Sequence, residues 1–149
     1  MEQDLLLLLN SKLLWSVASA WILTQALKIV VTYLKEKKIK WRRFIEPGGM
    51  PSSHAAMVIA LLTGVQIKEG ISSTIFVVTL IFSLAIIYEA IGVRKEVGQQ
   101  AQILNYMIKR MSLEKEFKKN LRERMGHEPL EVVVGSIIGL LTAIIWMKW

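Results

Sequence analysis

Leu13–Leu34 is a run of 22 residues that carries one charge, Lys28. As a helix such a run is roughly 33 Å long, enough to cross the hydrocarbon core of a bilayer. Ile71–Val93 is a second run of this kind, with Glu89 as its only charge. Met50–Ile67 and Val132–Met147 are shorter, at 18 and 16 residues. They span only with little tilt or with local thinning of the bilayer. Hydrophobic residues make up 53% of the 149, too many for an ordinary soluble domain of this length. The expected fold class is therefore all-α: an integral membrane helical bundle of about four spans, read as one domain over residues 1–149.

The N-terminus admits a competing reading, a removable signal peptide that ends at Ala18-Ser19-Ala20. Glu2 and Asp4 stand where such a leader is basic, and the apolar run continues to Leu34, so a span is the better reading. Leu5–Leu9, cut off by Asn10-Ser11-Lys12, reads as an interfacial turn of helix. The sequence contains no cysteine, which excludes disulfides and thiolate chemistry.

A net charge of +7 could suggest a nucleic-acid partner, but its placement argues for a membrane instead and no nucleic acid is expected. Six Lys/Arg lie between the first two spans, from Lys35 to Arg43, and nine between the last two, from Arg94 to Arg124. Four spans place both loops on one face, and the other face keeps only Lys12, Lys68 and Lys148. This is the positive-inside pattern of a multi-pass cell-membrane protein, with cytoplasmic loops and outward termini. Anionic headgroups are the natural partners of the basic loops.

Within the long loop, Val97, Ala101, Leu104, Ile108 and Met111 recur at steps of four and three, an apolar stripe on a helix. Leu113, Phe117, Leu121 and Met125 repeat the pattern behind Ser112, a candidate N-cap. Two amphipathic surface helices are expected here, lying on the membrane or packed back on the spans.

The chain has only two histidines. His54 closes "GGMPSSH" and His127 lies in "RMGHEPLEVVVG". Each stands where a span begins, and the span count puts both at the same membrane depth. A helix start suits an anion, because its first backbone N–H groups lack internal partners and the macrodipole is positive there. Pro51 suits the first turn of that helix. Gly48 and Gly49 permit a sharp approach of the backbone. Ser52 and Ser53 add hydroxyls, so the turn has the make-up of a phosphate-sized cradle. Four residues after His127 comes Glu131, within reach of the imidazole once a helix starts near Pro129. A carboxylate on one ring nitrogen fixes the tautomer and raises the basicity of the other. The same spacing equally suits simple capping, with Glu131 on a free N–H.

Three stretches carry a family resemblance: "GGMPSSHAA", "YEAIGVRKEVGQQAQILN" and "GHEPLEVVVGSIIG". Over roughly residues 20–145 the chain resembles the divergent type-2 phosphatidic acid phosphatase family, a membrane branch related to acid phosphatases and vanadium haloperoxidases. The wider superfamily works without a metal cofactor: one histidine becomes a phosphohistidine, a carboxylate orients it, a second histidine protonates the leaving oxygen, and cations hold the phosphoryl oxygens. The resemblance implies His127 as nucleophile, Glu131 as its orienter and His54 as general acid. Ser52 and Ser53 would cradle the phosphate, with Gly49 supporting. Ser53 stands where the superfamily has glycine, and Glu131 where it has aspartate. The arginine expected six residues before the nucleophile falls at Leu121. A substitute cation is then needed, and Arg94, present in the family's second block, and Lys28, near the same end of the first span, are the candidates. Glu89 is expected as their ion-pair partner. Arg42 and Arg43 approach the first block but match no spacing.

The function these residues imply is hydrolysis of a lipid phosphate or pyrophosphate in the membrane, with no cofactor. A non-catalytic protein that binds anionic lipid through a degenerate phosphate site is the alternative, favoured by Leu121. A metal site from His54, His127 and Glu131 lacks the close ligand pair of established zinc motifs. Four spans are few beside the superfamily's six-helix core, and a homodimer would complete the bundle.

Overall fold

The computed structural model describes residues 2–44, 46, 48–113, 117, 120–123 and 125–149, with residue 43 described in its backbone only. Six α-helices follow in order: α1 Glu2–Leu9, α2 Lys12–Glu36, α3 Ser53–Glu69, α4 Thr74–Ile91, α5 Val93–Arg110 and α6 Pro129–Lys148. A 3₁₀ turn, Trp41–Phe44, lies between α2 and α3. Hydroxyls set three of the helix starts. Ser11, Ser52 and Ser73 each accept the N–H three residues on, from Leu14, Ala55 and Phe76. Such a cap stabilises a helix by about 1 kcal/mol. Ser52 therefore takes the cap position, and Pro51, expected in the first turn of this helix, lies just before the cap.

Three segments are long and apolar enough to cross a membrane: α2, the α4–α5 stretch and α6. The 17 residues of α3 make roughly 25 Å of helix. It packs against α2, α4 and α6 together, and is the most enclosed of the four. Its direction follows from its neighbours. Gly64 faces Leu13 and Ser16 of α2, whereas Ser53 meets Lys28, so α2 and α3 are antiparallel. Gly135 and Gly139 of α6 face Ser52 and Ala56, so α6 runs parallel to α3. Ser83 of α4 donates to the Val58 carbonyl at 3.2 Å. The starts of α3 and α6 thus lie at the same end of the bundle.

The interior is built from small side chains. Ala20, Ala56, Ala60 and Ala143 form a fully buried cluster joining α2, α3 and α6. Without a hydrophobic drive between helices in lipid, close backbone approach of this kind supplies the packing energy. The large side chains face outward instead, Ile75, Val78, Ile81, Phe82 and Leu84 on α4 among them. Helix α2 runs unbroken through Ala18-Ser19-Ala20, where Ala20 is part of the core. At the far end Trp15 stacks on Trp146 at 6.4 Å, and the Trp146 indole N–H donates to Ser19. Helix α1 buries none of its residues and is tied on through the Trp15 indole N–H to the Leu9 carbonyl.

The first surface helix of the long loop forms as α5. Of the second, expected behind Ser112, residues 114–116, 118, 119 and 124 lie outside the described residues; the described ones there are not assigned to a helix, although the Phe117 N–H donates to the Leu113 carbonyl at 3.0 Å. Ser112, the expected cap, has φ of 56° and follows the last turn of α5. At Leu121 the backbone is held by a side chain on α5. Asn105 accepts the Leu121 N–H and donates to the Leu121 carbonyl, both at 2.9 Å. With both of its peptide groups taken by one amide, Leu121 has none left for a helix. Gly98 then lets the returning chain lie on α5, since a Cβ there would come within 2.6 Å of the Glu123 carbonyl oxygen.

Asn105→Ala is expected to release this returning segment while leaving the bundle intact. Losing these bonds costs about 1–2 kcal/mol of local stability. Hydrogen exchange at the Leu121 amide should rise roughly tenfold, with α2, α3 and α6 unchanged. Unaltered protection at Leu121 would mean that the amide does not hold the segment.

Candidate active site

The turn at 48–52 and the segment at 125–128 meet where α3 and α6 begin. Their backbones are joined directly, Ser52 N–H donating to the Glu131 carbonyl at 2.9 Å. His127 N–H donates to the Ala90 carbonyl on the last turn of α4, also at 2.9 Å. One residue earlier, Gly126 has φ of 80°, and a Cβ there would come within 2.5 Å of the Lys95 backbone nitrogen. Glycine is needed at that position for both reasons. His127 is thus positioned by backbone contacts on either side, and is 3% exposed.

His127 Nδ1 lies 2.9 Å from Glu131 Oε2. With the Nδ1 proton donated to the carboxylate, Nε2 keeps its lone pair. The same Oε2 accepts the Glu128 N–H at 3.3 Å. Capping and histidine contact, alternatives in the sequence, are both made by one oxygen. The His54 ring stands edge-on to His127, centroids 6.0 Å apart and planes at 63°. Nδ1 of His54 is buried with no hydrogen-bond partner. A buried polar atom left unpaired is uncommon and calls for a functional or solvent explanation.

Beside the histidines opens a cavity of about 420 Å³. His127, Glu128 and Glu131 line it on one side, and Lys28, Lys35 and Lys95 contribute cations. Gly48 and Gly49 form part of its wall. Gly49 has φ of 82° with open space around it, so its backbone conformation is what favours glycine there. Lys28 is 3% exposed and turns inward, its Nζ donating to Ser53 Oγ at 3.3 Å. Snorkelling to the interface is therefore not its role.

The other sequence candidates sit around this cavity, not on its wall. Ser52 is fully buried with its hydroxyl capping α3. Ser53 reaches the cavity only through Lys28, and His54 is next to it through the ring of His127. Arg94 meets Glu89 at two points, 2.8 and 3.4 Å, which is the ion pair expected for Glu89. Arg42 is exposed on the 3₁₀ turn, and the Arg43 side chain lies outside the described residues. Leu121 is exposed, so that position brings no cation.

Sequence reasoning missed Lys35, Lys95 and Glu128. Lys35 is one further turn along the helix from Lys28 and Thr32, which gave a readable hint. Lys95 gave none, because its place depends on the tertiary contact with Gly126.

The Divergent PAP2 family matches the chain over residues 9–142, which takes in the four bundle helices almost entirely. The chain is 36% identical to the uncharacterized membrane protein YuiD of Bacillus subtilis (strain 168), over 151 residues that cover 93% of this chain and 95% of that one. No solved structure matches the chain. With three of its segments able to cross a bilayer and nearly its whole length matched, this chain is a membrane protein that belongs to the divergent PAP2 family.

Proposed function

We propose that the protein is a metal-independent membrane phosphatase that hydrolyses a lipid phosphate or pyrophosphate through a phosphohistidine. The observation that carries this reading is the contact of His54 with His127, whose far nitrogen is engaged by Glu131, beside a cavity with three lysines. Nε2 of His127 attacks phosphorus and the P–O bond to the lipid breaks. His54 gives its proton to the departing oxygen. Water then attacks the phosphohistidine, His54 takes up the proton released, and inorganic phosphate leaves. Glu131 stabilises the positive imidazole formed in the first step.

Most of the catalysis of phosphoryl transfer is positioning and charge around the equatorial oxygens. Lys28 is the buried cation of the set, steadied by Ser53. Arg94 stays paired with Glu89 beside the site, Ser52 fixes the turn that carries Ser53 and His54, and Gly49 gives that turn its left-handed backbone conformation. The setting supports a lipid substrate, since the cavity opens at one end of a bundle whose flanks are apolar. The basic segments at this end favour the inner leaflet.

Leu121 favours a second reading, in which the site binds anionic headgroups without turnover. Purified protein in detergent with a chelator, offered a panel of lipid monophosphates and pyrophosphates, separates the two. Release of inorganic phosphate, with labelled phosphate trapped on the protein by acid-free quenching, is the expected result. A blank panel with phosphate still bound would leave the binding-only reading.

A further inference from the structure

The cation that the missing motif arginine leaves to be supplied has a better source than Arg94 or Lys28. Arg94 is not part of the cavity wall, and Lys28 lines it but is buried against Ser53. Lys95 lines the cavity directly, and its Nζ contacts both oxygens of Glu128, at 3.1 and 3.3 Å. Both partners are held by the elements that hold His127. Gly126 packs on the Lys95 backbone, and Glu128 is the residue after the histidine. The ion pair therefore straddles His127, half exposed at the mouth of the cavity.

We propose that Lys95 is the phosphoryl-oxygen ligand that replaces the motif arginine, and that Glu128 is its stand-in anion when the cavity is empty. This rests on the reading of the cavity as a phosphate site. A phosphoryl group near His127 Nε2 brings negative charge up to Glu128. Repulsion drives the carboxylate out towards water, and Lys95 exchanges one anion for the other. Glu128 also caps the start of α6, but its side chain is 64% exposed and an exposed ion pair holds its members weakly, so the carboxylate can turn away from Lys95 while keeping its place at the helix start. The chain thus carries its own competitive anion beside the nucleophile, and the site's affinity is set by how readily that carboxylate yields.

The test is titration of inorganic phosphate into protein in detergent micelles, followed by ³¹P NMR, which reads binding without turnover. Lys95→Met should weaken phosphate binding about tenfold or more, the loss of one charge-assisted contact. Lys95→Arg should stay within about threefold of the parent. Glu128→Gln should bind phosphate about two- to fivefold more tightly, because the competitor is gone. If the parent binds phosphate and Lys95→Met binds it equally well, the assignment of Lys95 fails while the phosphate site stands. If Lys95→Met does not fold, Glu128→Gln decides alone: unchanged or weaker binding overturns the exchange. No binding by the parent sinks the phosphate site and this inference with it.

Discussion

His127→Ala is expected to abolish phosphate release, a loss of about a thousandfold or more as for removal of a covalent nucleophile, without unfolding the protein. The fold survives because the contact made by residue 127 with α4 is a backbone one, N–H to the Ala90 carbonyl, and alanine keeps it. Glu131 loses an imidazole but retains the Glu128 N–H. His54→Ala should behave differently. A general acid contributes about 10²–10⁴-fold, and that contribution shrinks when the leaving group needs no proton. An aryl phosphate should therefore recover much of the lost rate in the His54 variant and almost none in the His127 variant. Turnover against leaving-group acidity, measured for both variants with thermal unfolding as the control for folding, separates the two roles. Turnover at the parent level in His127→Ala would remove the mechanism.

The span pattern was legible because lipid imposes one rule, that a crossing segment satisfies its own backbone and shows an apolar surface. Leu13–Leu34 and Ile71–Val93 obey it and appear as α2 and α4. The meeting of the histidines was legible for a related reason. His54 lies in the first turn of α3 and His127 just before α6, and an even number of crossings between them returns the chain to the same end. What the sequence hid was the path of the chain at Leu121. The apolar residues there fall at helical spacing, yet spacing says nothing of a neighbour, and the Asn105 amide holds Leu121 out of a helix. Lys95 was hidden in the same way. Its charge was plain, but its approach to the cavity is made by the Gly126 contact between residues far apart in the chain.

Gly135→Leu is expected to cost both stability and the site, because it acts on the seam that brings the two halves together. Along α6, Gly135, Gly139 and Ala143 recur every four residues, and Ser52, Ala56 and Ala60 do the same along α3. A Cβ at Gly135 would collide with the Ser52 carbonyl oxygen, and one at Gly139 with that of Ala56. Backbone atoms have no rotamer to escape into, so the helices must part. Overpacking of this kind costs about 1–3 kcal/mol, and a leucine against backbone belongs at the upper end. The displacement at Gly135 falls on Ser52 itself, whose N–H bond to the Glu131 carbonyl ties the first turn to the second. Opening it moves His54 away from His127. Gly139→Leu stands four residues deeper, about 6 Å along the axis. It should lose similar stability while retaining more phosphate release. Leu140→Ala, on the exposed face of α6, should change neither by much. Unfolding in mixed micelles together with phosphate release gives the two readouts for each variant. If Gly135→Leu matched the parent in both, the close approach of α3 and α6 would not be what assembles the histidines.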